Sequence, residues 1–174
     1  MFAVRCTRKL LERGAPKVLD KPAPPTTVLG DWYANIVVTR AEHLVVCISE
    51  KTLLPVVVTA KDVKHLPERL SAAVRTMLAA VGVSEVQIES ELLEMRAGYL
   101  ATTQDRRVLG CLNDFVFHFK HGAGSFPELS NHERALRLAR MPCSILEYAF
   151  PSEATLAAFS ARQAIRAASK ASAA

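Results

Sequence analysis

Three runs of β-branched and aliphatic residues, Ile36–Val38, Leu44–Ile48 and Leu53–Val58, follow one another with only short polar breaks between them. Branching at Cβ stiffens the side chain and suits a pleated surface better than a helix. The runs therefore predict three strands, Ala34–Arg40, His43–Glu50 and Leu53–Thr59, joined as a meander. The break at Ala41-Glu42 lacks the Gly or Asn of a two-residue primed turn, so a slightly longer hairpin loop is expected. Pro55 cannot donate to a ladder, which places the third strand at a sheet edge or starts it after the proline. Near-continuous apolar character predicts helices over one full face of the meander. Its head is Leu29-Gly30-Asp31-Trp32-Tyr33-Ala34-Asn35, which holds the only Trp of the chain.

The remainder reads as a lead-in and a helical cover. Phe2–Cys6 predicts a short strand and Arg8–Arg13 a small helix stopped by Gly14. Ala15–Thr27 carries Pro16, Pro22, Pro24 and Pro25 and reads as an extended surface connection. Leu66, Leu70, Val74, Met77 or Leu78, and Val81 recur at helical spacing up to Gly82. Ser84 with Gln87 forms a capping box, with Val83 and Ile88 as its staple. That helix runs to about Arg96, with Ile88, Leu92 and Met95 inward. Gly98–Thr102 predicts a strand that joins the sheet. Thr103 is expected to cap a helix from Gln104 to His121 with Val108, Leu112, Phe115 and Phe119 buried. Gly110 inside it costs about 1 kcal/mol against Ala and implies close approach of another backbone. Gly122-Ala123-Gly124-Ser125 breaks the chain. Ser130 with Glu133 opens a further helix, and Pro151 starts a last, alanine-rich one anchored by Leu156, Phe159 and Ile165. The expected fold is α+β: a small, mostly antiparallel sheet, built of the meander plus short N-terminal and central strands, under about five helices. Residues 1–160 read as one globular domain. Residues 161–174 read as a basic, alanine-rich helix end and frayed tail.

Composition bounds the function. A length of 174 residues with 50% hydrophobic and 22% charged residues describes a folded domain and not a disordered chain. The net charge of +5 divides into +4 over residues 1–30, −2 over 31–130 and +3 over 131–174. Basic ends permit contact with an anionic partner, but no concentrated basic stripe marks a nucleic-acid binder. Cys6, Cys47, Cys111 and Cys143 form no Cys-x-x-Cys pair, and free thiols are expected. Arg5, Arg8 and Lys9 interrupt the first ten residues and no leader-like apolar run follows, so a cytoplasmic location is expected. No P-loop, G-x-G-x-x-G, G-x-S-x-G or H-E-x-x-H occurs.

Four polar constellations stand at junctions between elements. In the first, Gly30 can turn sharply, Asp31 can accept from the backbone amides that follow it and so fix the turn, and Trp32 and Asn35 offer a stacking face and paired hydrogen bonds. It reads either as a structural corner or as a pocket rim. In the second, Arg106, Gly110, Asn113 and Phe117 share one helical face, and Arg107, Cys111, Asp114, His118 and His121 its neighbour. Arg106 in a first helical turn opposes the helix dipole, so an acidic partner is expected: Asp31, Glu50 or a ligand anion. Asp114, His118 and His121 have the spacing of metal ligands, yet nothing completes a shell, and neither metal nor cofactor is expected. The third pairs Thr7, Arg8 and Lys9 with Glu50, Lys51 and Thr52. The fourth, Arg162, Arg166 and Lys170, lies on one face of the last helix, as a solvated face or a phosphate contact.

Cys6-Thr7-Arg8-Lys9-Leu10, Leu29–Asn35, Thr52-Leu53-Leu54-Pro55 and Arg106-Arg107-Val108-Leu109-Gly110-Cys111-Leu112-Asn113-Asp114 occur in this order. With Met141-Pro142-Cys143 and Tyr148, the chain resembles over most of residues 2–159 a family of small prokaryotic proteins defined by a domain of unknown function. Two positions depart from that pattern. Arg107 stands where serine is expected, and Cys111-Leu112 where Ser-Met is expected, so no role of those hydroxyls transfers to this chain. The resemblance brings no activity with it. The candidate binding residues are Lys9, Asp31, Trp32, Asn35, Thr52, Arg106, Asn113 and Asp114. The leading expectation is a non-enzymatic binding module for a protein or an anionic ligand, with no membrane partner. The alternatives are a small hydrolase of phosphorylated or nucleic-acid substrates, using Asp31 or Asp114 with Arg106 or Lys9, and a nucleic-acid binder acting through its basic termini.

Overall fold

The computed structural model of the chain describes residues 1–14, 18–39, 42–122 and 128–171. Five strands form one mixed sheet: β1 (Phe2–Cys6), β2 (Trp32–Val38), β3 (His43–Ser49), β4 (Pro55–Thr59) and β5 (Gly98–Thr102), in the order β4-β3-β2-β1-β5. The meander is antiparallel, with Ile36 opposite Val45 and Cys47 opposite Val56, and it carries most of the pairing. β1 pairs parallel with both β2 and β5. Pro55 begins β4 at the sheet edge, where its missing donor costs no ladder bond. At the other edge Leu19 forms a single parallel bridge to Ala101 of β5. Pro16, within the proline-rich connection, and Arg40 and Ala41 of the meander's first loop lie outside the described residues, as does Ala123-Gly124-Ser125. Across that loop Thr39 closes on the carbonyl of Glu42.

Among the described residues six α-helices cover the sheet: α1 (Arg8–Leu11), α2 (Leu66–Val81), α3 (Glu85–Glu94), α4 (Arg106–Gly122), α5 (Asn131–Leu138) and α6 (Pro151–Ala171). The fold is α+β, and both sheet faces are buried, where the sequence predicted one covered face. Strand alternation sends Val4, Trp32, Ile36 and Val56 to one core, which α2 fills with Leu66, Leu70, Val74 and Met77. Tyr33, Val37, Leu44 and Ile48 face the other, under Val108, Leu112, Phe115 and Phe119 of α4. α5 lies beside β4 and sends Ala135 to the first core and Leu138 to the second. Unbroken apolar strands need cover on both sides, so their composition and this layering agree.

The helix signals read from the sequence hold in detail, with three differences. Ser84 and Gln87, and Ser130 and Glu133, both close capping boxes. Gly82 ends α2 with φ of 94°. α4, however, is capped by Asp105, whose Oδ1 accepts from the amides of Arg107 at 2.7 Å and Val108 at 3.3 Å. A carboxylate outcompetes Thr103 because it accepts two donors at once and suits the helix dipole. On α6 the buried anchors are Pro151, Thr155 and Phe159, while Leu156 and Ile165 are exposed. Among the described residues no helix is long and apolar enough to cross a membrane.

Gly110 is the third difference. It is exposed, and a Cβ there would meet nothing within 4 Å, so no backbone approaches it closely. The close approach is at Gly98, where a Cβ would meet Cβ of Pro67 at 2.6 Å and Cε1 of Phe2 at 2.9 Å. Urea denaturation should therefore separate the two. Gly110→Ala is expected to stabilise the protein by about 1 kcal/mol, whereas Gly98→Ala should lower its stability.

Candidate functional site

The head of the meander is built as a brace. Gly30 takes φ of 79°, and a Cβ there would stand 3.1 Å from both Oε2 of Glu50 and Cγ of Lys51. Only glycine suits both demands. The following Asp31 is wholly buried. Its Oδ1 accepts from the amide of Ala3 at 2.8 Å, and its Oδ2 from Nε of Arg5 at 2.9 Å and Nη2 at 2.7 Å. Arg5 is itself buried. This paired, charge-assisted contact ties the lead-in of β2 to β1. Trp32 then turns into the α2 core and is fully buried, so its ring offers no stacking surface. Its indole N–H has no acceptor among the described residues.

Thr52 is also structural. Its hydroxyl meets Ser49 Oγ at 2.8 Å and accepts from Thr155 Oγ1 at 2.9 Å, clamping the β3–β4 turn to α6. Leu53 beside it takes φ of 54°, a conformation that the turn holds in place by the bond from its amide to Ser49. Three of the eight predicted residues, Asp31, Trp32 and Thr52, are thus withdrawn from solvent.

Asn35 behaves differently. It is half-buried between buried neighbours on β2. Its Oδ1 accepts from Thr7 Oγ1 at 2.9 Å and from the amide of Ile36 at 2.8 Å, while its Nδ2 donates to Oδ1 of Asn113 at 3.2 Å. The amide of Thr7 adds a bond to the carbonyl of Ala34. A notch results where β1 ends, β2 passes and α4 crosses. α4 reaches it because Tyr33, two residues before Asn35, accepts the amide of Asp105 at 3.0 Å and fixes the start of that helix. Burial raises the Tyr33 hydroxyl above its usual pKa. Lys9 on α1 and Arg106 on α4 are both exposed. Neither makes an ion pair among the described residues, so the expected partners Asp31 and Glu50 are not those of Arg106. Asp31 is taken by Arg5, and Glu50 accepts the amide of Asp31 at 3.3 Å.

Asp114 is exposed on the neighbouring face of α4, beside a small cavity with His118, Cys143 and Tyr148. It does not share a site with Asp31, whose carboxylate is spent on Ala3 and Arg5. A joint acid–base or metal role for the two aspartates has no geometry here. Among the described residues no three His, Cys, Asp or Glu side chains gather as a ligand set. The thiols are also subdued. Burial pushes Cys6 up to about 12, Cys143 to about 11 and Cys47 well above the ordinary 9.0. None is a thiolate near neutral pH, the form a nucleophile requires.

A family model described as "Domain of unknown function (DUF6933)" matches residues 3–154. The chain belongs to this family. No curated protein and no solved structure matches it. All eight candidate residues fall inside the DUF6933 unit, and so do the notch partner Thr7 and the bracing Arg5. Phe159, Arg162 and Arg166 of α6 fall outside it. Sequence reasoning missed Arg5. Its signal was a charge in the middle of the strand Phe2–Cys6, where neighbouring apolar residues leave a cation no exit to water.

Two outcomes follow for solution measurements. Asp31→Ala strands a buried guanidinium and should cost about 3–5 kcal/mol in urea denaturation, whereas the double variant R5M/D31L should recover much of that loss. The raised thiol pKa values mean that the folded chain holds protons the unfolded chain releases above 9.0. Their contribution is therefore complete below that pH and is lost as pH rises toward about 12. The urea midpoint should fall between pH 9 and 11, and a constant midpoint contradicts the assignment.

Proposed function

We propose that the protein is a non-catalytic binding module whose ligand-facing surface is the Thr7–Asn35–Asn113 notch. The observation that carries this reading is the 3.2 Å bond between Asn35 and Asn113, two residues 78 apart in the chain and brought together at the surface. A half-exposed amide flanked by the buried Ala34 and Ile36 is a poor packing element. Its use is polar. Asn35 retains one Nδ2 proton and Asn113 both of its own after the bonds described, so the notch presents donors to solvent. Lys9, two residues after Thr7, and Arg106, about two turns before Asn113 on α4, add exposed positive charge on the adjoining elements. A donor-rich notch beside cationic elements suits an anionic ligand or an acidic protein segment.

The reading as a hydrolase loses its support with Asp31, which is locked to Arg5, and with thiols that stay protonated. Binding of nucleic acid through the termini has no observation in its favour beyond charge. The four free thiols support a reducing compartment, and hence the cytoplasm of a prokaryotic cell, as the place where the module works.

Backbone amide NMR titration with inorganic phosphate, nucleoside monophosphates and short dicarboxylates tests the reading. Shifts are expected at Thr7–Lys9, Asn35 and Arg106–Asn113. N113A and R106A should each weaken binding by about ten-fold, the loss of one charge-assisted or exposed hydrogen bond; R106A should leave the unfolding midpoint unchanged, and N113A, which also loses the bond to Asn35, should lower it slightly. The absence of shifts at these residues with every probe at millimolar concentration overturns it, whether or not shifts appear on other surfaces.

A further inference from the structure

A second concavity lies away from the notch. α3 and α6 face one another across a cleft of about 390 Å³, closed at one end by Thr26 and Val28. That volume is within the range of small-ligand pockets. Helix pairs usually close such space by interlocking apolar ridges. Here Val86 and Phe159 face the cleft among polar residues, and the helices are spanned by long side chains. Gln87 Nε2 donates to Gln163 Oε1 at 3.2 Å, Arg166 Nη1 to Ser90 Oγ at 2.8 Å, and Arg162 Nη2 to the carbonyl of Thr26 at 3.5 Å. The space between stays open.

The charges around the cleft are unequally satisfied. Glu91 is buried, and its two oxygens accept the amides of Val28 at 2.8 Å and Leu29 at 3.0 Å. Glu94 accepts Thr26 Oγ1 and lies 3.8 Å from the N-terminal ammonium. Both acids take their hydrogen bonds from groups other than the arginines, although Arg162 acts on both through space and Arg166 on Glu94, favouring their charged forms. Arg162 and Arg166, one turn apart on α6, bond only to neutral oxygens and make no ion pair among the described residues. Beside them Val28, Val86 and Phe159 give the cleft an apolar wall. Val86 is 81% exposed, which core packing does not explain.

We propose that this cleft binds a small amphipathic anion, a carboxylate or phosphate monoester carried on an apolar body. Arg162 and Arg166 hold the anion in their planar forks, and Val28, Val86 and Phe159 cover the body. The site is separate from the notch. Its α6 wall lies beyond the residues matched by the family model, so the cleft is made jointly by the family unit and the C-terminal helix.

Isothermal titration of the full chain with octanoate, phenyl phosphate, inorganic phosphate and octylammonium tests it. Octanoate and phenyl phosphate should bind, inorganic phosphate more weakly, and octylammonium not at all. R162Q/R166Q should weaken both anions by about thirty-fold or more, the loss of two charge-assisted contacts. V86D leaves α6 and its arginines intact and should also weaken octanoate, so a loss of helix in the double variant does not decide the matter. Absence of octanoate and phenyl phosphate binding, unchanged affinity in both variants, or octylammonium binding as tight as octanoate overturns the proposal. N113A should leave this affinity unaltered, which separates failure here from failure at the notch.

Discussion

The ion pair between Arg5 and Asp31 is the contact on which the arrangement of this sheet depends. β1 and β2 are parallel neighbours, yet among the described residues between them there is no crossover helix beyond the single turn of α1. A parallel pair joined by an extended, proline-rich connection has little local structure to set its register. Asp31 supplies it by accepting at once from the amide of Ala3 and the guanidinium of Arg5. Glu91 assists from α3 by taking the amides of Val28 and Leu29. Two buried carboxylates thus hold the few residues that lead into β2. Burying such charges is costly, and the gain is that only one alignment satisfies them.

With that alignment set, the positions along β2 acquire distinct fates. Trp32 and Tyr33 point to opposite cores, and Asn35 reaches the end of β1 just where Thr7 leaves it. A shift by one residue would send Asn35 into the α2 core and Trp32 toward α4. The notch is therefore a consequence of the register as much as of the residues that line it. α4 completes it because the amide of Asp105 docks on the Tyr33 hydroxyl at the base of the same strand face.

Much of this was legible in the chain. The β-branched runs, the stripe of Val108, Leu112, Phe115 and Phe119, and the two capping boxes are local patterns whose physics acts within a few residues. Gly30 was recognisable as a corner for the same reason, whereas Asp31, expected to take the amides that follow it, takes the amide of Ala3 and the guanidinium of Arg5 instead. The roles of Trp32, Thr52 and Arg106 were not recognisable either. Each depends on what another part of the chain brings to it: the α2 core to Trp32, Thr155 to Thr52, and for Arg106 the prior capture of Asp31 by Arg5. Gly110 and Gly98 illustrate the same divide, since sequence marks both as glycines and only packing shows which one is crowded.

What the sequence by itself determined is the set of elements, their buried faces and the α+β class, because periodicity, capping and turn chemistry are short-range effects. Tertiary structure alone decided that three of the candidate residues are interior braces, while Thr7, Asn35 and Asn113 meet at the surface. It also decided that α6 stands off from α3 and leaves a cleft. Hydrogen bonds across tens of residues and the choice of one carboxylate over another are settled only when the sheet order is in place. No local pattern encodes which strand lies beside β1.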